Sequence, residues 1–265
     1  MPSDSAWDLI TVPWHLNEHI PGFPAPAGPA RDVSPVLPQG SQVTQMKVLQ
    51  QAVAQTVAPA ARPLLLAGDC AAAVGAMAGL QVRHKDVAVV WLDGHGDFNT
   101  PVISASGYLA GMSLAMLTGR TPELISDDLS LRPVADRDAV LVDARDLDPA
   151  ERDLLAASQV RRVPAEPDAL RRAVGELDGK PVYLHIDADV IDGTEEPGLR
   201  FPVRDGPSLS RIEECLTVVR TVADVTAACL TCSWSPSQVG TRPVRDTIAR
   251  LTAAFGARVT WPTGP

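Results

Sequence analysis

Cysteine, basic charge and long apolar runs are all scarce in this chain. Four cysteines among 265 residues are too few for a disulfide scaffold. The net charge of −9 argues against nucleic acid or an anionic membrane surface as the main partner. No apolar run approaches the roughly 20 residues that cross a bilayer. The start, MPSDSAWD, lacks a basic segment followed by an apolar one. It therefore indicates no signal peptide, and we expect a cytoplasmic protein.

Short apolar runs alternate with amphipathic segments along the whole chain. The predicted strands are residues 8–13, 63–68, 87–93, 138–143, 159–163, 181–187 and 225–232. The predicted helices are residues 41–58, 70–83, 107–117, 148–157, 167–178, 208–222 and 242–255. Several strands are nearly continuous in valine, leucine and isoleucine, which is typical of parallel strands buried on both faces. The alternation predicts an α/β fold in which one domain, 1–265, forms a doubly wound parallel sheet.

Residues 21–40, PGFPAPAGPARDVSPVLPQG, interrupt this alternation. The segment is too rich in proline and glycine for regular structure. We interpret it as an ordered surface loop or as a lid over a site, and not as a linker between domains.

Two of the cysteines, Cys229 and Cys232, form a C-x-x-C pair inside an apolar, strand-like run. Positions three apart on a strand point to opposite faces, so a shared metal or a redox pair is not favoured there. We expect both to be buried small apolar side chains.

A first acidic cluster follows the apolar run VAVVWL. Asp93, His95 and Asp97 alternate with two glycines, which disfavour a helix. If the backbone stays extended, the three side chains share one face and can converge on a metal ion. They also lie at the carboxyl end of a predicted strand, where open parallel sheets place their ligands.

A second acidic cluster repeats this arrangement after the buried run PVYLHI. Asp187 and Asp189 end that strand, and Asp192 follows closely. One such pair alone is more often a solvated loop or a helix cap. Two clusters of carboxylates, each behind a buried strand, would repel strongly without cations, so together they predict a metal site.

The motifs around these residues resemble those of the arginase (ureohydrolase) family. DGHGDFNTP at 93–101 is similar to the family's D-A-H-x-D-x-N-T-P, and HIDADVID at 185–192 to its S-x-D-x-D-x-x-D. LLAGDC at 65–70 lies where the family has G-G-D-H, and ARDLDPAE at 144–151 resembles R-D-x-D-x-x-E. Closer than the true arginases are the members that hydrolyse N-hydroxy-L-arginine, which share DGHGDFNTP and a cysteine at the first ligand position. The resemblance implies an arginase-like sheet of about eight strands with helices on both faces.

The same resemblance implies a hydrolase with two metal ions, usually Mn²⁺. The ligands of one ion would be Cys70, Asp93, Asp97 and Asp187. The ligands of the other would be Asp93, His95, Asp187 and Asp189, so that Asp93 and Asp187 bridge. Mostly oxygen ligands with one imidazole suit Mn²⁺ on chemical grounds as well. A water held between the ions would attack a planar carbon, and Asp97 would pass its proton to the leaving amine.

The resemblance also implies a small amino-acid-like substrate. Asn99 and Ser106 fall where arginases hold the substrate carboxylate, and Asp148 and Glu151 fall where they hold its α-amino group. Simpler roles remain open for two of them. Asn99 can form a turn, and Asp148 can cap the helix that begins at Pro149.

The chain departs from the family pattern at two positions near the first ion. Cys70 replaces a histidine ligand, and a thiolate favours a softer ion such as Zn²⁺ or Fe²⁺. The alternative is a buried cysteine that opens a helix, with that ion absent. Ala110 lies where arginases carry a histidine that moves protons. A leaving group that is less basic than a guanidine nitrogen needs less assistance from an acid.

A third departure concerns the substrate. Ser233 lies where the family has the glutamate that grips the guanidinium, and its loss removes a bidentate, charge-assisted contact. Either the register is shifted by a residue or two, or the far end of the substrate is not a guanidinium. Glu195 and Glu196, in the loop after the second cluster, are candidates to substitute.

Three hypotheses describe the function. The first is a hydrolase that cleaves a C–N bond of a guanidino or N-hydroxyguanidino amino acid and releases urea or hydroxyurea. The second is a metallohydrolase of the same fold that acts on another amidine, imine or linear amide. The third is a non-catalytic relative that binds metal or ligand.

Overall fold

The structure is a computed structural model that describes residues 6–196, 198–231 and 233–262. The strands are β1 (Asp8–Val12), β2 (Trp14–His15), β3 (Glu18–His19), β4 (Ala30–Asp32), β5 (Pro63–Ala67), β6 (Ala88–His95), β7 (Ala139–Asp146), β8 (Arg161–Val163), β9 (Pro181–Asp187) and β10 (Asp224–Thr231). The helices are α1 (Gln42–Val57), α2 (Ala72–Leu80), α3 (Ser113–Leu117), α4 (Pro149–Ala156), α5 (Pro167–Gly175), α6 (Leu209–Val222) and α7 (Arg242–Ala254). The elements therefore follow the predicted alternation, with shifted ends.

Eight strands form one sheet, in the order β4-β1-β5-β10-β9-β6-β7-β8. Every neighbouring pair in it is parallel. The short strands β2 and β3 form a separate antiparallel hairpin directly after β1. The predicted doubly wound parallel sheet is confirmed, and its most central strands are β5, β10, β9 and β6.

Helices cover both faces of the sheet, as the alternation of side chains along a strand requires. In β5, Leu65 and Ala67 pack into the apolar layer that contains α1 to α4. Leu64 and Leu66 of the same strand pack into the opposite layer, with α5, α6 and α7. Burial of each such leucine contributes about 1.5–3 kcal/mol to folding. The central strands are thus fixed from both sides.

The proline-rich segment 21–40 contains more structure than its composition predicts. Ala30–Asp32 forms β4 and pairs in parallel with β1 at the edge of the sheet. Asp32 Oδ1 accepts a hydrogen bond from Thr11 Oγ1 at 2.6 Å, and the indole of Trp14 donates to Val33 O at 2.8 Å. The prediction of no regular structure was wrong for these three residues, because an edge strand needs partners on one side only.

One predicted helix differs from the observed structure. The stretch predicted as one helix at 107–117 is a short 3₁₀ turn at Ala110–Met112 followed by the five residues of α3. Within the described part of the chain, no helix has the length and apolar character of a membrane span.

Candidate active site

A cavity of about 390 Å³ opens at the carboxyl ends of the central strands. Parallel strands all end at this edge, so residues that follow different strands meet there. The residues that the sequence predicts for the site all line it: Cys70, Asp93, His95, Asp97, Asn99, Ser106, Asp148, Glu151, Asp187, Asp189 and Ser233.

One group of potential metal ligands consists of Asp93, His95 and Asp189, which we call the imidazole half. One ligand atom from each lies within 4.8 Å of the others. His95 Nδ1 is 3.5 Å from Asp93 Oδ1 and 3.1 Å from Asp189 Oδ2. Backbone amides hold both carboxylates: His95 N–H donates to Asp93 Oδ1 at 2.7 Å, and Gly94 N–H donates to Asp189 Oδ1 at 3.1 Å.

The two glycines of this motif make room for the carboxylates. A Cβ on Gly94 would lie 2.7 Å from the carbonyl oxygen of Asp189. A Cβ on Gly96 would lie 2.7 Å from Glu151 Oε1. Both distances are too short for a side chain. The glycines thus allow β6 to approach the loop after β9 and the first turn of α4.

A second group consists of Cys70, Asp93 and Asp97, which we call the sulfur half, again with one atom of each within 4.8 Å. Asp97 has a φ of +49°, so the backbone leaves the extended conformation before it. The prediction that an extended backbone aligns Asp97 with the other two was therefore wrong in its geometry. Asp97 reaches the cluster through a left-handed turn, whose carbonyl oxygen accepts from Leu114 N–H at 2.9 Å and Ala115 N–H at 3.1 Å.

Asp187 connects the two halves without belonging to either group of three. Its Oδ2 accepts hydrogen bonds from Cys70 Sγ and from Ser233 Oγ, each at 3.0 Å. Its Oδ1 accepts from the backbone N–H of Asp189 at 3.1 Å. Asp189 itself lies on a 3₁₀ turn, Ala188–Val190, and not on an extended continuation of β9.

Burial and like charge act together on these carboxylates. Burial, then Asp93 and Asp187, hold the pKa of Asp97 well above its usual range. Burial, then Asp187 and Asp93, do the same for the pKa of Asp189. For His95, burial works against the charge, but hydrogen bonds to Asp189 and Asp93 raise the pKa to about 12. The cluster therefore attracts positive charge strongly.

The residues present fit a divalent metal centre. Among the described residues, none hydrogen-bonds Asp97 Oδ2, although the atom is buried. A buried acceptor without a partner is costly, and a cation removes that cost while leaving the oxygens as ligands. Carboxylates with one imidazole suit Mn²⁺, whereas the sulfur of Cys70 suits a softer ion. Burial, with Asp97, Asp187 and Asp93, raises the pKa of that thiol well above its usual range, so a cation must displace its proton.

Three of the residues predicted for the amino-acid end of a substrate, Asn99, Asp148 and Glu151, are connected by hydrogen bonds and form one patch. Asn99 Nδ2 donates to Asp148 Oδ2 at 3.1 Å. Asn99 Oδ1 is buried and has no hydrogen-bond partner in the described part of the chain. Ser106 lies on the exposed rim, where its Oγ accepts from Tyr108 N–H at 3.2 Å. A free acceptor beside an aspartate is suited to a cationic N–H group.

Glu151 contributes differently from the other residues of this patch. Its Oε1 accepts from Phe98 N–H at 2.9 Å, and its Oε2 accepts from Asp148 N–H at 3.3 Å. The first bond fixes the loop between Asp97 and Asn99, and the second fixes the start of α4. Both carboxylate oxygens of Glu151 thus accept hydrogen bonds from backbone amides, although the side chain lines the cavity.

Neither glutamate of the loop after the second cluster lines the cavity. Glu196 accepts from the indole of Trp234 at 3.0 Å and from Thr247 Oγ1 at 2.9 Å. Glu195 accepts from Leu209 N–H at 3.0 Å, at the start of α6. The suggestion that they substitute for a glutamate at Ser233 is wrong, because neither side chain lines the cavity, and both oxygens of Glu196 and Oε2 of Glu195 hold other elements of the fold.

Sequence reasoning missed an aromatic wall and one buried acid. Tyr108 and Phe201 line the cavity with ring centroids 5.2 Å apart, and His15 stacks on Tyr108 at 5.8 Å. Asp69 also lines the cavity. It is buried, and burial raises its pKa to about 6. The position of Asp69 directly before Cys70 was a usable signal. His15, in β2, and Phe201, in the loop before α6, carry no such signal, since both are distant in sequence from the acidic clusters.

Two other predictions concern parts of the chain around the site. Cys229 is buried in β10, as expected, while Cys232 lies outside the described residues. Among the described residues that line the cavity, none comes from 21–40. The lining thus offers no support for the lid interpretation of that segment.

Comparison with known proteins gives one consistent result. A family model described as the arginase family matches residues 17–261. N(omega)-hydroxy-L-arginine amidinohydrolase of Streptomyces lavendulae is 31% identical over 191 residues, which is 72% of this chain and 67% of that protein. An arginase of Staphylococcus aureus (strain COL) is 30% identical over 156 residues, or 55% of this chain and 51% of that protein. The match thus spans about half to two thirds of these relatives.

Among solved structures, arginase from Bacillus cereus is similar over 96% of this chain and 99% of its own, with a TM-score of 0.82 and 22% identity. Proclavaminate amidino hydrolase from Streptomyces clavuligerus is similar over 94% and 91%, with a TM-score of 0.70 and 20% identity. At these identities the likeness concerns the fold, which extends over nearly the whole chain.

Proposed function

Because this chain belongs to the arginase family, we propose that it is a metal-dependent hydrolase of guanidino compounds. The proposed reaction cleaves a C–N bond of a guanidino or N-hydroxyguanidino amino acid, such as N-hydroxy-L-arginine or arginine, and releases hydroxyurea or urea. The observation that carries the proposal is the cavity at the carboxyl ends of β5, β6 and β9. Both groups of candidate ligands and the pair Asn99 and Asp148 line this one cavity, which supports the proposal.

The ligands of two Mn²⁺ ions in this proposal are the residues of the two halves together with Asp187. When bound, the ions supply Lewis-acid polarisation and a water of lowered pKa. A softer ion is the alternative in the sulfur half. Asp97 is the proton carrier in this proposal. Its Oδ2, which none of the described residues hydrogen-bonds, takes a proton from the attacking water and delivers it to the leaving nitrogen.

The amino-acid end of the substrate lies against Asn99 and Asp148 in this proposal. Asn99 keeps a second amide hydrogen and a free Oδ1, and Asp148 supplies the negative charge for an α-ammonium group. Ser106, on the exposed rim of the same cavity, is the proposed contact of the carboxylate end. Glu151 supports this patch indirectly, because it holds the backbone of Phe98 and Asp148.

A second candidate is a metallohydrolase of the same fold with another amidine, imine or linear amide as substrate. Ser233 favours it. The hydroxyl of Ser233 donates to Asp187 and offers no charge to a guanidinium, and Glu195 and Glu196 are engaged elsewhere. Aromatic side chains at the mouth, Tyr108 and Phe201, suit a less polar far end as well as a cation.

The test uses the full chain loaded with Mn²⁺. The protein is incubated with arginine, N-hydroxyarginine, agmatine and simple amidines, and urea, hydroxyurea and ammonia are measured. Hydroxyurea from N-hydroxyarginine, with little product from agmatine, is the expected result, since agmatine lacks the carboxylate. An Asp148→Asn variant should then raise KM by roughly 10- to 100-fold with a smaller change in kcat, as for loss of a hydrogen bond to a charged group.

Asp153→Asn, a change on the same helix away from the cavity lining, is the matched control. If the enzyme releases ammonia from amidines but produces neither urea nor hydroxyurea, the second candidate function replaces the first. A Ser233→Glu variant that gains activity on guanidino substrates would do the same, because it would show that the native chain lacks this grip. No turnover of any substrate with both ions bound would contradict both candidates and favour a non-catalytic relative.

A further inference from the structure

Behind the sulfur half lies a buried histidine that the proposed reaction does not use. His185 is fully buried two residues before Asp187, and its Nε2 is 3.3 Å from Cys70 Sγ. On its other side, Nδ1 is 3.3 Å from the hydroxyl of Tyr183. Its ring stacks on the indole of Trp91 with centroids 3.5 Å apart and planes inclined by 8°. Side chains from two neighbouring strands and a helix start thus meet around one imidazole.

The hydrogen bonds around Cys70 determine which ring nitrogen carries the proton. The thiol has a single hydrogen, and Cys70 Sγ donates it to Asp187 Oδ2 at 3.0 Å. Toward His185 the sulfur is therefore the acceptor, and Nε2–H is the donor. Nδ1 then accepts from the Tyr183 hydroxyl. Nε2 as donor and Nδ1 as acceptor is one of the two neutral tautomers of imidazole, so the two contacts are mutually consistent.

The stacking ring links this arrangement to the other ligands. Trp91 holds His185 through its face, and its indole Nε1–H donates to Asp93 Oδ2 at 3.0 Å. Asp93 belongs to both halves of the cluster. Trp91 thereby fixes the carboxylate of Asp93 directly, through a hydrogen bond. It fixes Cys70 indirectly, by holding His185.

We propose that His185 is the positioning residue of the sulfur half: its Nε2–H donates to Cys70 and directs the sulfur toward the metal ion. The inference rests on the proposed metal site, and it holds whichever substrate the enzyme cleaves. Binding of the ion releases the Cys70 proton to solvent, and the sulfur keeps the hydrogen bond from His185 as a thiolate. A hydrogen-bond donor that contacts a metal-binding sulfur on the side away from the ion orients that sulfur. It also lowers the energy of the lone pairs on the sulfur. Cysteine as a ligand at this position therefore depends on histidine two residues before Asp187.

The test uses Co²⁺ as the metal probe, because a cobalt–thiolate contact gives a charge-transfer band in the near ultraviolet. The wild-type chain should show this band, and Cys70→Ser should lose it. His185→Phe keeps a ring against Trp91 but has no donor. We expect it to weaken Co²⁺ binding about 10- to 100-fold and to move the band to longer wavelength. His185→Gln, which retains an amide donor, should restore part of both. Circular dichroism and thermal unfolding establish that each variant is folded.

A second measurement requires no change at His185. With isotope-labelled histidine and Zn²⁺ as the ion, nuclear magnetic resonance of the wild-type chain should show Nε2 protonated and Nδ1 bare. The Nε2–H signal should change when Cys70 is replaced by Ser.

Two results would overturn the inference. One is a folded His185→Phe variant with the wild-type band and affinity, and the other is a proton found on Nδ1. Either can occur in an enzyme that hydrolyses its substrate normally. Conversely, absence of turnover with an intact band and a protonated Nε2 would refute the proposed function alone.

Discussion

The imidazole half and the sulfur half share Asp93 but are held in different ways. In the imidazole half, backbone amides of Gly94 and His95 fix the carboxylates, and the sheet fixes those amides. In the sulfur half the bonds run between side chains: Cys70 to Asp187, 117 positions apart, and His185 to Cys70, 115 apart. The first half is therefore held by backbone amides at the end of β6, and the second by hydrogen bonds between side chains.

This difference bears on the positions at which the sequence motifs predicted a departure from the family pattern. Beside the ligands that backbone amides hold, a side chain at Gly94 would collide with the backbone of Asp189. Ligands held by side chains can change together with their partners. Cysteine at 70, histidine at 185 and serine at 233 all contact one another or Asp187 in the sulfur half. Two of the three predicted departures, Cys70 and Ser233, thus lie in the half that side chains support.

The largest expected effect comes from removing the residue common to both halves. Asp93→Ala should abolish binding of both ions and reduce kcat/KM by roughly 10³-fold or more, the scale for loss of a preorganised electrostatic group. Bound metal and hydrolysis are measured on the same preparation. Asp192→Ala is the control, because Asp192 accepts from Thr194 and Gly206 outside the cluster. If an Asp93→Ala variant retained either ion, Asp93 would not be a ligand that both halves need, and the prediction would be wrong.

Removal of the ions by a chelator should destabilise the whole chain. Without cations the buried carboxylates face one another, and the free energy of binding no longer stabilises the folded state. The midpoint of thermal unfolding should fall by roughly 5–10 °C when the metal had been present at about 100 times its dissociation constant. Scanning calorimetry with and without chelator measures it. The Asp93→Ala variant should show no such shift, and a shift of equal size there would locate the stabilising ion elsewhere.

Two single substitutions, one in each half of the site, compare the two halves directly. Cys70→Ser should remove about one ion per chain and leave the imidazole half occupied, whereas His95→Ala should do the reverse. Because sulfur favours softer ions, the ion lost from Cys70→Ser should be the one that prefers Zn²⁺ or Co²⁺ over Mn²⁺. Metal analysis after dialysis against mixed ions gives both results. Equal metal preferences in the two variants would show that the halves do not differ chemically.

The smallest expected effect is that of Ser233→Ala. It removes one hydrogen bond to Asp187 from the sulfur half and leaves every ligand in place. The free energy of unfolding should fall by about 1 kcal/mol, and metal affinity should change by less than about tenfold. Urea denaturation and metal titration measure these changes. Complete loss of an ion would mean that Ser233 acts as a ligand and not as a support.

The sequence predicted the strands and the edge at which their polar residues meet. Runs such as VAVVWL and PVYLHI are continuous because helices cover both faces, and this made β6 and β9 recognisable. Prediction was less accurate where the backbone turns. Asp97 enters the cluster through a φ of +49°, and Ala30–Asp32 forms a strand inside a proline-rich segment. Such features depend on hydrogen bonds to residues distant in sequence, which periodicity does not reveal.

The sequence by itself determined the fold class and the identity of the candidate ligands, because parallel strands bring the residues at their carboxyl ends to one edge of the sheet. Only the tertiary structure decided which polar groups remain free to act. It engaged Glu195, Glu196 and both oxygens of Glu151 in holding the fold. Among the described residues it left Asp97 Oδ2 and Asn99 Oδ1 without partners. It also placed His185 behind Cys70. The reason is physical: a buried polar atom must find its partner in space, and that partner is fixed only when the whole chain packs.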